Sequence, residues 1–253
     1  MSSKELIKNT YFLSDFHLGV PNYASSLVRE KHLIKFLDTI APTAEAIYIV
    51  GDVFDMWYTY ATVVPKGYTR LLGKLAQLSD AGIKLYMFTG NHDMWLFDYF
   101  ETELGIKTYT APITVSINNK QFYIAHGDGL GPGDKGYKFI KKVFANKVCQ
   151  WLFKWLHPDI GLGFANYWSG KSAGIKRLKD SIYLGDDKEF LIQFCNEHSQ
   201  HNSIDFYVFG HRHYPLVKTI KNKSTYINLG DWISQYTYCV FDGTHCQLKT
   251  FAI

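Results

Sequence analysis

Five short polar motifs, each placed directly after an apolar run, constrain the fold of this chain more than any other feature. Runs such as Ala46–Val50 and Ile83–Phe88 are short and rich in β-branched or aromatic residues, which favours buried strands. Polar side chains at the ends of neighbouring strands converge on one rim of a sheet, so we expect the motifs to meet there. The motifs are Asp15-Phe-His17, Gly51-Asp52-Val-Phe-Asp55, Gly90-Asn91-His92-Asp93, Ala125-His126-Gly127-Asp128 and Gly210-His211-Arg-His213.

Strands and helices alternate in the first half of the chain. Apolar spacing predicts helices from Tyr23 to Ile40 and from Arg70 to Leu78, and this alternation favours a mostly parallel sheet covered by helices. After a predicted hairpin at 113–125, further short apolar runs favour an antiparallel back half. The predicted fold class is α/β, with two sheets packed face to face as a sandwich, flanking helices and an inserted helical cap.

A basic and aromatic stretch forms the predicted cap. We predict a core of residues 1–134 and 181–253 and a helical cap of residues 135–180, which holds ten Lys or Arg residues against two Asp residues. Apolar residues recur there every three or four positions as one helical stripe, and Phe139 and Phe153 lie off that stripe. The stripe consists of Ile140, Phe144, Val148, Trp151 and Trp155.

Two interpretations of the cap are open. A basic helix with additional aromatic residues is typical of a segment that lies on an anionic membrane or holds an acyl chain, and we expect Phe139 and Phe153 to take part. Packing of the stripe on the core, with the lysines in solvent, explains the same spacing. Nucleic acid is not expected as a partner, because the cap is short and its charges surround an apolar face instead of following a groove.

Composition and charge limit the compartment and the class of protein. The formal net charge of +4 is mild, and no run approaches the roughly 18 apolar residues that span a bilayer. The first residues lack the apolar core of a signal peptide, and the four cysteines are scattered. We therefore expect a cytoplasmic protein with reduced thiols. If the cap lies on a membrane, we expect peripheral contact with the inner membrane.

The residue types of the motifs predict a metal site. Carboxylate oxygens, imidazole nitrogens and one amide oxygen form a mixed donor set that suits Mn, Fe or Zn better than Mg or Ca. Two ions in one site need a shared ligand, and Asp52 is the candidate. Each motif alone has an ordinary explanation as a turn, since Gly, Asn and Asp favour turns for local reasons. The prediction depends on all five motifs occurring together at strand ends.

The ordered set of motifs resembles the calcineurin-like metallophosphoesterase family from Asp15 to His213. The resemblance implies a two-sheet sandwich and hydrolysis of a phosphorus–oxygen bond with two divalent transition-metal ions, manganese above iron or zinc. It also implies that His92, oriented by Asp55, contacts the phosphate and protonates the leaving oxygen. The implied ligands are Asp15, His17, Asp52 and His213 for one metal, and Asp52, Asn91, His126 and His211 for the other.

Within that family, the sequence around the motifs is similar to that of the enzymes that cleave the pyrophosphate of UDP-2,3-diacylglucosamine in lipid A biosynthesis. The local matches include Ile49–Trp57 and His126–Leu130, and the inserted cap is typical of that group. The best-known members carry Arg where this chain has His92. The resemblance implies that substrate contacts come from Asn91, His92, Asp134, Ser169, Lys171, Lys176 and His211.

The sequence is therefore compatible with three functions. The first is a peripheral-membrane hydrolase that splits UDP-2,3-diacylglucosamine into UMP and acylated glucosamine 1-phosphate. The second is a phosphoesterase or phosphodiesterase for a soluble phosphoprotein, a cyclic nucleotide or another nucleoside diphosphate conjugate, which His92 in place of Arg favours. The third is a non-catalytic binding module, which the complete ligand set disfavours.

Overall fold

The computed structural model describes residues 8–132, 135–163 and 182–252, with only the backbone described at 135–137. The strands are β1 (Asn9–Leu13), β2 (Ala44–Val50), β3 (Lys84–Phe88), β4 (Lys107–Tyr109), β5 (Ile113–Ile117), β6 (Lys120–Ala125), β7 (Phe206–Phe209), β8 (Leu216–Thr219), β9 (Thr225–Asn228), β10 (Thr237–Phe241) and β11 (Cys246–Thr250). The helices are α1 (Tyr23–Ile40), α2 (Thr69–Asp80), α3 (Tyr99–Leu104), α4 (Lys135–Ala145), α5 (Lys147–Lys154) and α6 (Phe190–His198). Residues 158–163 are also helical.

The first sheet has six strands in the order β11-β10-β1-β2-β3-β4. β1 to β4 are parallel, with α1, α2 and α3 as the crossovers between them. β10 and β11 extend the β1 edge in antiparallel orientation. The predicted alternation of strands and helices is therefore confirmed for the first half of the chain.

The second sheet has five strands in the order β5-β6-β7-β9-β8. β5 with β6 and β8 with β9 are antiparallel pairs, but β6, β7 and β9 are mutually parallel. The prediction of an antiparallel back half is therefore wrong at the centre of this sheet. The cap and α6 provide the long crossover between β6 and β7, and parallel neighbours need such a crossover of about a dozen residues or more.

Alternate residues of β1 and β2 face different layers of the fold. Phe12 and Tyr48 lie in the cluster between the two sheets, whereas Leu13 and Ile49 lie in the cluster that the helices cover. The Phe12 ring stacks on the Phe122 ring of β6, with centroids 5.5 Å apart. Strands that are buried on both faces need continuous apolar runs, which is the pattern in the sequence. The predicted two-sheet α/β sandwich is confirmed.

Aromatic residues of the cap helices α4 and α5 pack against the core, and Lys141 of α4 also pairs with Asp128. The Phe153 ring lies 4.8 Å from the Tyr58 ring and 4.7 Å from the Trp95 ring. Trp95 Nε1 donates to the carbonyl of Phe144, and the Tyr58 hydroxyl donates to the carbonyl of Gln150. The Phe153 ring therefore packs between the cap and the core, and its expected contact with a membrane or an acyl chain stays a prediction.

The apolar stripe of the cap lies on the outside. Trp151 is 56% exposed and Trp155 is 73% exposed, and the other stripe residues are exposed with them, as is Phe139. Within the described residues, the stripe therefore meets the core mainly at Phe144, whose ring lies 5.4 Å from the Trp95 ring, and most of its surface faces outward. No helix among the described residues is both long and apolar enough to cross a membrane. The domain boundaries of the cap stay a prediction, and part of it lies outside the described residues.

Candidate metal centre

Most of the predicted ligands adopt a left-handed backbone at the ends of their strands. Residues other than glycine rarely take this conformation, and its cost is typically about 1–3 kcal/mol each unless neighbouring contacts hold it. The sharp turn carries each side chain to the common rim instead of continuing the strand. The residues and their φ angles are Asp15 (58°), His17 (43°), Asp52 (52°), His211 (68°) and His213 (44°).

Asp15, His17 and His213 form a first group of ligand atoms that is almost fully buried. Nε2 of His17 lies 3.2 Å from Nε2 of His213, and the latter lies 3.3 Å from Asp15 Oδ1. That Asp15 oxygen is buried and has no hydrogen-bond partner among the residues that the structure describes. Two imidazole nitrogens and a carboxylate oxygen that converge in this way need a proton or a cation between them. A metal ion fits this group.

Asp52, His126 and Asn91 form a second group beside the first. His126 Nε2 lies 3.3 Å from Asp52 Oδ2 and 3.3 Å from Asn91 Oδ1. His126 Nδ1 is 2.9 Å from the carbonyl of Val50, which can only accept, so Nδ1 carries the hydrogen and Nε2 is left for a metal. Asp52 Oδ2 is also 3.6 Å from His17 Nε2. One carboxylate oxygen therefore faces both groups, as a shared ligand must.

His211 lies next to the second group. Its ring centroid is 5.2 Å from that of His126, and its backbone N–H donates to Asp15 Oδ2 at 3.0 Å. Burial, together with the neighbouring His126, lowers the pKa of His211 to about 3, so the ring is neutral and can offer a nitrogen lone pair. The structure brings the predicted ligands together at one rim, and their binding of metal stays a proposal.

The buried carboxylates of the centre are stabilised by positive charge on the neighbouring groups. Burial opposes ionisation of Asp52, but the neighbouring His126 and His92 outweigh it and hold the pKa of this carboxyl below its usual value. Burial also opposes protonation of His213, yet Asp15 and Asp231 raise the pKa of His213 to about 10. The clustered carboxylates thus draw protons onto imidazoles. Divalent cations would supply the same positive charge, so the residues present fit the implied metals.

His92 and Asp55 form a pair at the edge of the centre. His92 Nδ1 lies 3.3 Å from Asp55 Oδ1 and 3.2 Å from the Asp55 carbonyl oxygen, so Nδ1 carries the hydrogen. The backbone N–H of His92 donates to Asp52 Oδ1 at 2.9 Å. The His92 side chain is 23% exposed, whereas that of Asp55 is almost fully buried. This arrangement fixes the orientation of the imidazole ring through Nδ1.

Asp93 and Asp231 support the centre: the resemblance to the family implied that the Asn228–Asp231 loop lies beside the site, but neither residue was assigned a contact. Asp93 accepts from the backbone N–H groups of Gly90 and Val53, so it joins the third motif to the second. Asp231 Oδ2 lies 3.6 Å from His213 Nδ1 and orients that ring. The available signals were the fixed place of Asp93 in its motif and the polar loop that contains Asp231.

Gly90 shows how closely the motifs approach each other. A Cβ atom at this position would collide with the carboxylate of Asp52. Only glycine therefore lets the third motif lie against the proposed shared ligand.

Four predicted substrate contacts fall outside the described residues, so their roles stay predictions. They are Asp134, Ser169, Lys171 and Lys176.

Comparison with known proteins agrees with this geometry. The family model described as calcineurin-like phosphoesterase matches residues 8–215. A UDP-2,3-diacylglucosamine hydrolase of Porphyromonas gingivalis is 38% identical over 252 residues, which cover 95% of this chain and 96% of that protein. A protein of the same name from Histophilus somni is 29% identical over 231 residues and covers 89% of this chain and 93% of its own length. The solved phosphoesterase Yfce of E. coli covers 92% of this chain and 87% of its own, with 14% identity and a TM-score of 0.44.

Proposed function

Because the chain belongs to the calcineurin-like phosphoesterase family and is a metal-dependent hydrolase, we propose that it cleaves the pyrophosphate of UDP-2,3-diacylglucosamine. The products would be UMP and acylated glucosamine 1-phosphate. The observation that carries the proposal is a buried cluster of carboxylates and imidazoles that could hold metal, in a chain that aligns over 95% of its length with a protein named for this activity.

Seven side chains would hold two divalent ions. Asp15, His17 and His213 would bind one ion, and Asp52 would be shared between the two. Asn91, His126 and His211 would complete the second site, and the mixed donor set suits Mn, Fe or Zn. When bound, such ions polarise the phosphoryl group and make a coordinated water a nucleophile near neutral pH. The support is the placement of Asp52 Oδ2 between His17 and His126.

His92 would donate a proton to the leaving oxygen from Nε2. Asp55 would hold the ring through Nδ1, as its distances of 3.3 Å and 3.2 Å allow. Asn91, His92 and His211 would contact the phosphate-bearing part of the substrate. By resemblance alone, Asp134, Ser169, Lys171 and Lys176 would contact the sugar and the second phosphate.

The cap supports a lipid substrate. Tyr58 and Trp95 on the core meet Phe153 on the cap, and Tyr60 and Leu162 extend the same apolar cluster. We propose that the exposed edge of this cluster contacts an acyl chain, because burial of apolar surface is favourable at about 25 cal/mol per Å². The exposed tryptophans and the lysines of the cap suit peripheral contact with an anionic membrane, which would place the protein at the inner membrane.

A product assay tests this function. Purified protein with added manganese is incubated with UDP-2,3-diacylglucosamine or with bis(4-nitrophenyl) phosphate, and the products are separated by chromatography. We expect UMP and the acylated sugar phosphate in equal amounts. Cleavage of the simple diester without release of UMP from the lipid substrate would instead support the second function, a phosphodiesterase for a soluble substrate. His92, at the position of the usual Arg, is the residue that favours that alternative.

A further inference from the structure

Arg212 lies between the proposed ligands His211 and His213 and forms a buried ion pair with Glu189. Arg212 Nε lies 3.0 Å from Glu189 Oε2, and Arg212 Nη2 lies 2.9 Å from Glu189 Oε1. The two side chains are only 6% and 5% exposed. Two parallel N–H···O bonds from one guanidinium fix the orientation of both partners, because the fork of Arg matches the carboxylate.

The backbone on both sides of Arg212 is strained. His211 and His213 have φ angles of 68° and 44°, and the N–H of Arg212 closes a tight turn onto the carbonyl of Gly210 at 2.8 Å. Strained residues keep such a conformation only where surrounding contacts over-determine it. Asn228 and Gln235 hold the carbonyls of Gly210 and His213 at the two ends of the loop, and the Arg212 side chain is placed to hold its middle.

Arg212 also connects the loop to the segment through which the chain returns from the cap. Nη2 of Arg212 donates to the carbonyl of Ile182 at 2.9 Å. Glu189 Oε1 accepts in addition from the N–H of Leu184 at 3.0 Å, and Glu189 immediately precedes α6. One guanidinium thus ties the loop with both histidines to residues 182–189.

We infer that Arg212 and Glu189 are positioning residues for the metal centre. Their ion pair holds the 210–213 loop so that both histidine rings face the ligand cluster, although neither residue is itself a proposed ligand. The inference rests on the proposed assignment of His211 and His213 as ligands. Residues that orient metal ligands typically change metal affinity or activity by about 10- to 100-fold when they are mutated.

Manganese binding tests the inference without an activity assay. Metal-free Arg212→Lys and Glu189→Gln are titrated with manganese by calorimetry, and their unfolding temperatures are measured. Lysine keeps the charge of Arg212 but lacks the fork, so we expect both variants to bind manganese about 10- to 100-fold more weakly. Excess manganese should restore turnover, which a globally misfolded variant would not show. Glu45→Gln is the matched control, because Glu45 forms an exposed ion pair with Lys84 on the first sheet and should bind as wild type.

The outcomes separate the inference from the proposed function. If both variants fold and bind manganese with unchanged affinity, the positioning role is wrong. His213→Ala should lose metal, and an unchanged affinity in that variant would refute the proposed ligand set itself. If the single variants do not fold, Arg212→Met combined with Glu189→Met replaces the pair with apolar packing that often preserves stability. Weakened manganese binding in the folded double variant supports the inference, and unchanged binding overturns it.

Discussion

Replacement of His92 is the perturbation that most sharply separates proton donation from metal binding. The imidazole contacts Asp55 through Nδ1 and packs on the His17 ring with centroids 4.7 Å apart, and the backbone N–H of His92 donates to Asp52 Oδ1. His92→Ala removes the ring but retains the hydrogen bond to the proposed shared ligand. We therefore expect the variant to keep its metal ions and to lose turnover.

The size of the loss follows from the surroundings of the ring. General acid catalysis by a positioned side chain is typically worth about 10²- to 10⁴-fold. The His92 side chain is 23% exposed, so water can reach the leaving oxygen and replace part of its role. The leaving group is a phosphate monoester, which departs without a proton more easily than an alkoxide. We therefore expect a loss near the lower limit, about 10²-fold in kcat, or about 2.7 kcal/mol.

The assay compares kcat, KM and bound metal for three variants. His92→Ala tests the whole side chain, and His92→Arg retains a positive charge without an imidazole that can transfer its proton. His201→Ala is the control, because His201 is exposed in a turn after α6. Activity that survives in His92→Arg would show that the residue acts through charge. An unchanged kcat in His92→Ala with full metal content would refute the catalytic role.

Three further results are expected. Asp52→Asn should lose both metal ions and more than 90% of activity, because one of its carboxylate oxygens faces both ligand groups, and metal analysis with a turnover assay checks this. Trp151→Ser combined with Trp155→Ser should weaken sedimentation with phosphatidylglycerol vesicles, whereas binding equal to wild type would remove the membrane contact. Phe100→Ala should lower the free energy of unfolding by about 3–5 kcal/mol in a denaturant titration, because its fully buried ring leaves a cavity.

The position of the centre could be predicted from the sequence, because strand ends converge on one rim regardless of side-chain detail. Asp15, Asp52 and Asn91 each follow a strand of the first sheet, and His126 and His211 each follow a strand of the second. The parallel pairing of β6, β7 and β9 could not be predicted in this way. Which strands pair in this sheet depends on the long crossover through the cap, and short apolar runs do not specify that pairing.

The orientation of the cap and the anchoring of the ligand loop also required the structure. Helical periodicity identified the stripe but did not specify what it faces: only its member Phe144 is seen to pack on a core ring, together with Phe153, and the tryptophans of the stripe face outward. Arg212 and Glu189 are separated by 23 residues, so no local pattern joins them. The left-handed backbone of the ligands likewise arises from the turn that each motif makes at its strand end, and residue type alone does not specify it.

Anomalous X-ray diffraction from crystals grown with manganese tests the central claim most directly. We predict two peaks about 3.5–4 Å apart, with the carboxylate of Asp52 in contact with both. One peak should lie among Asp15, His17 and His213, and the other should lie beside His126. A single peak, or two peaks that do not share Asp52, would contradict the dinuclear centre.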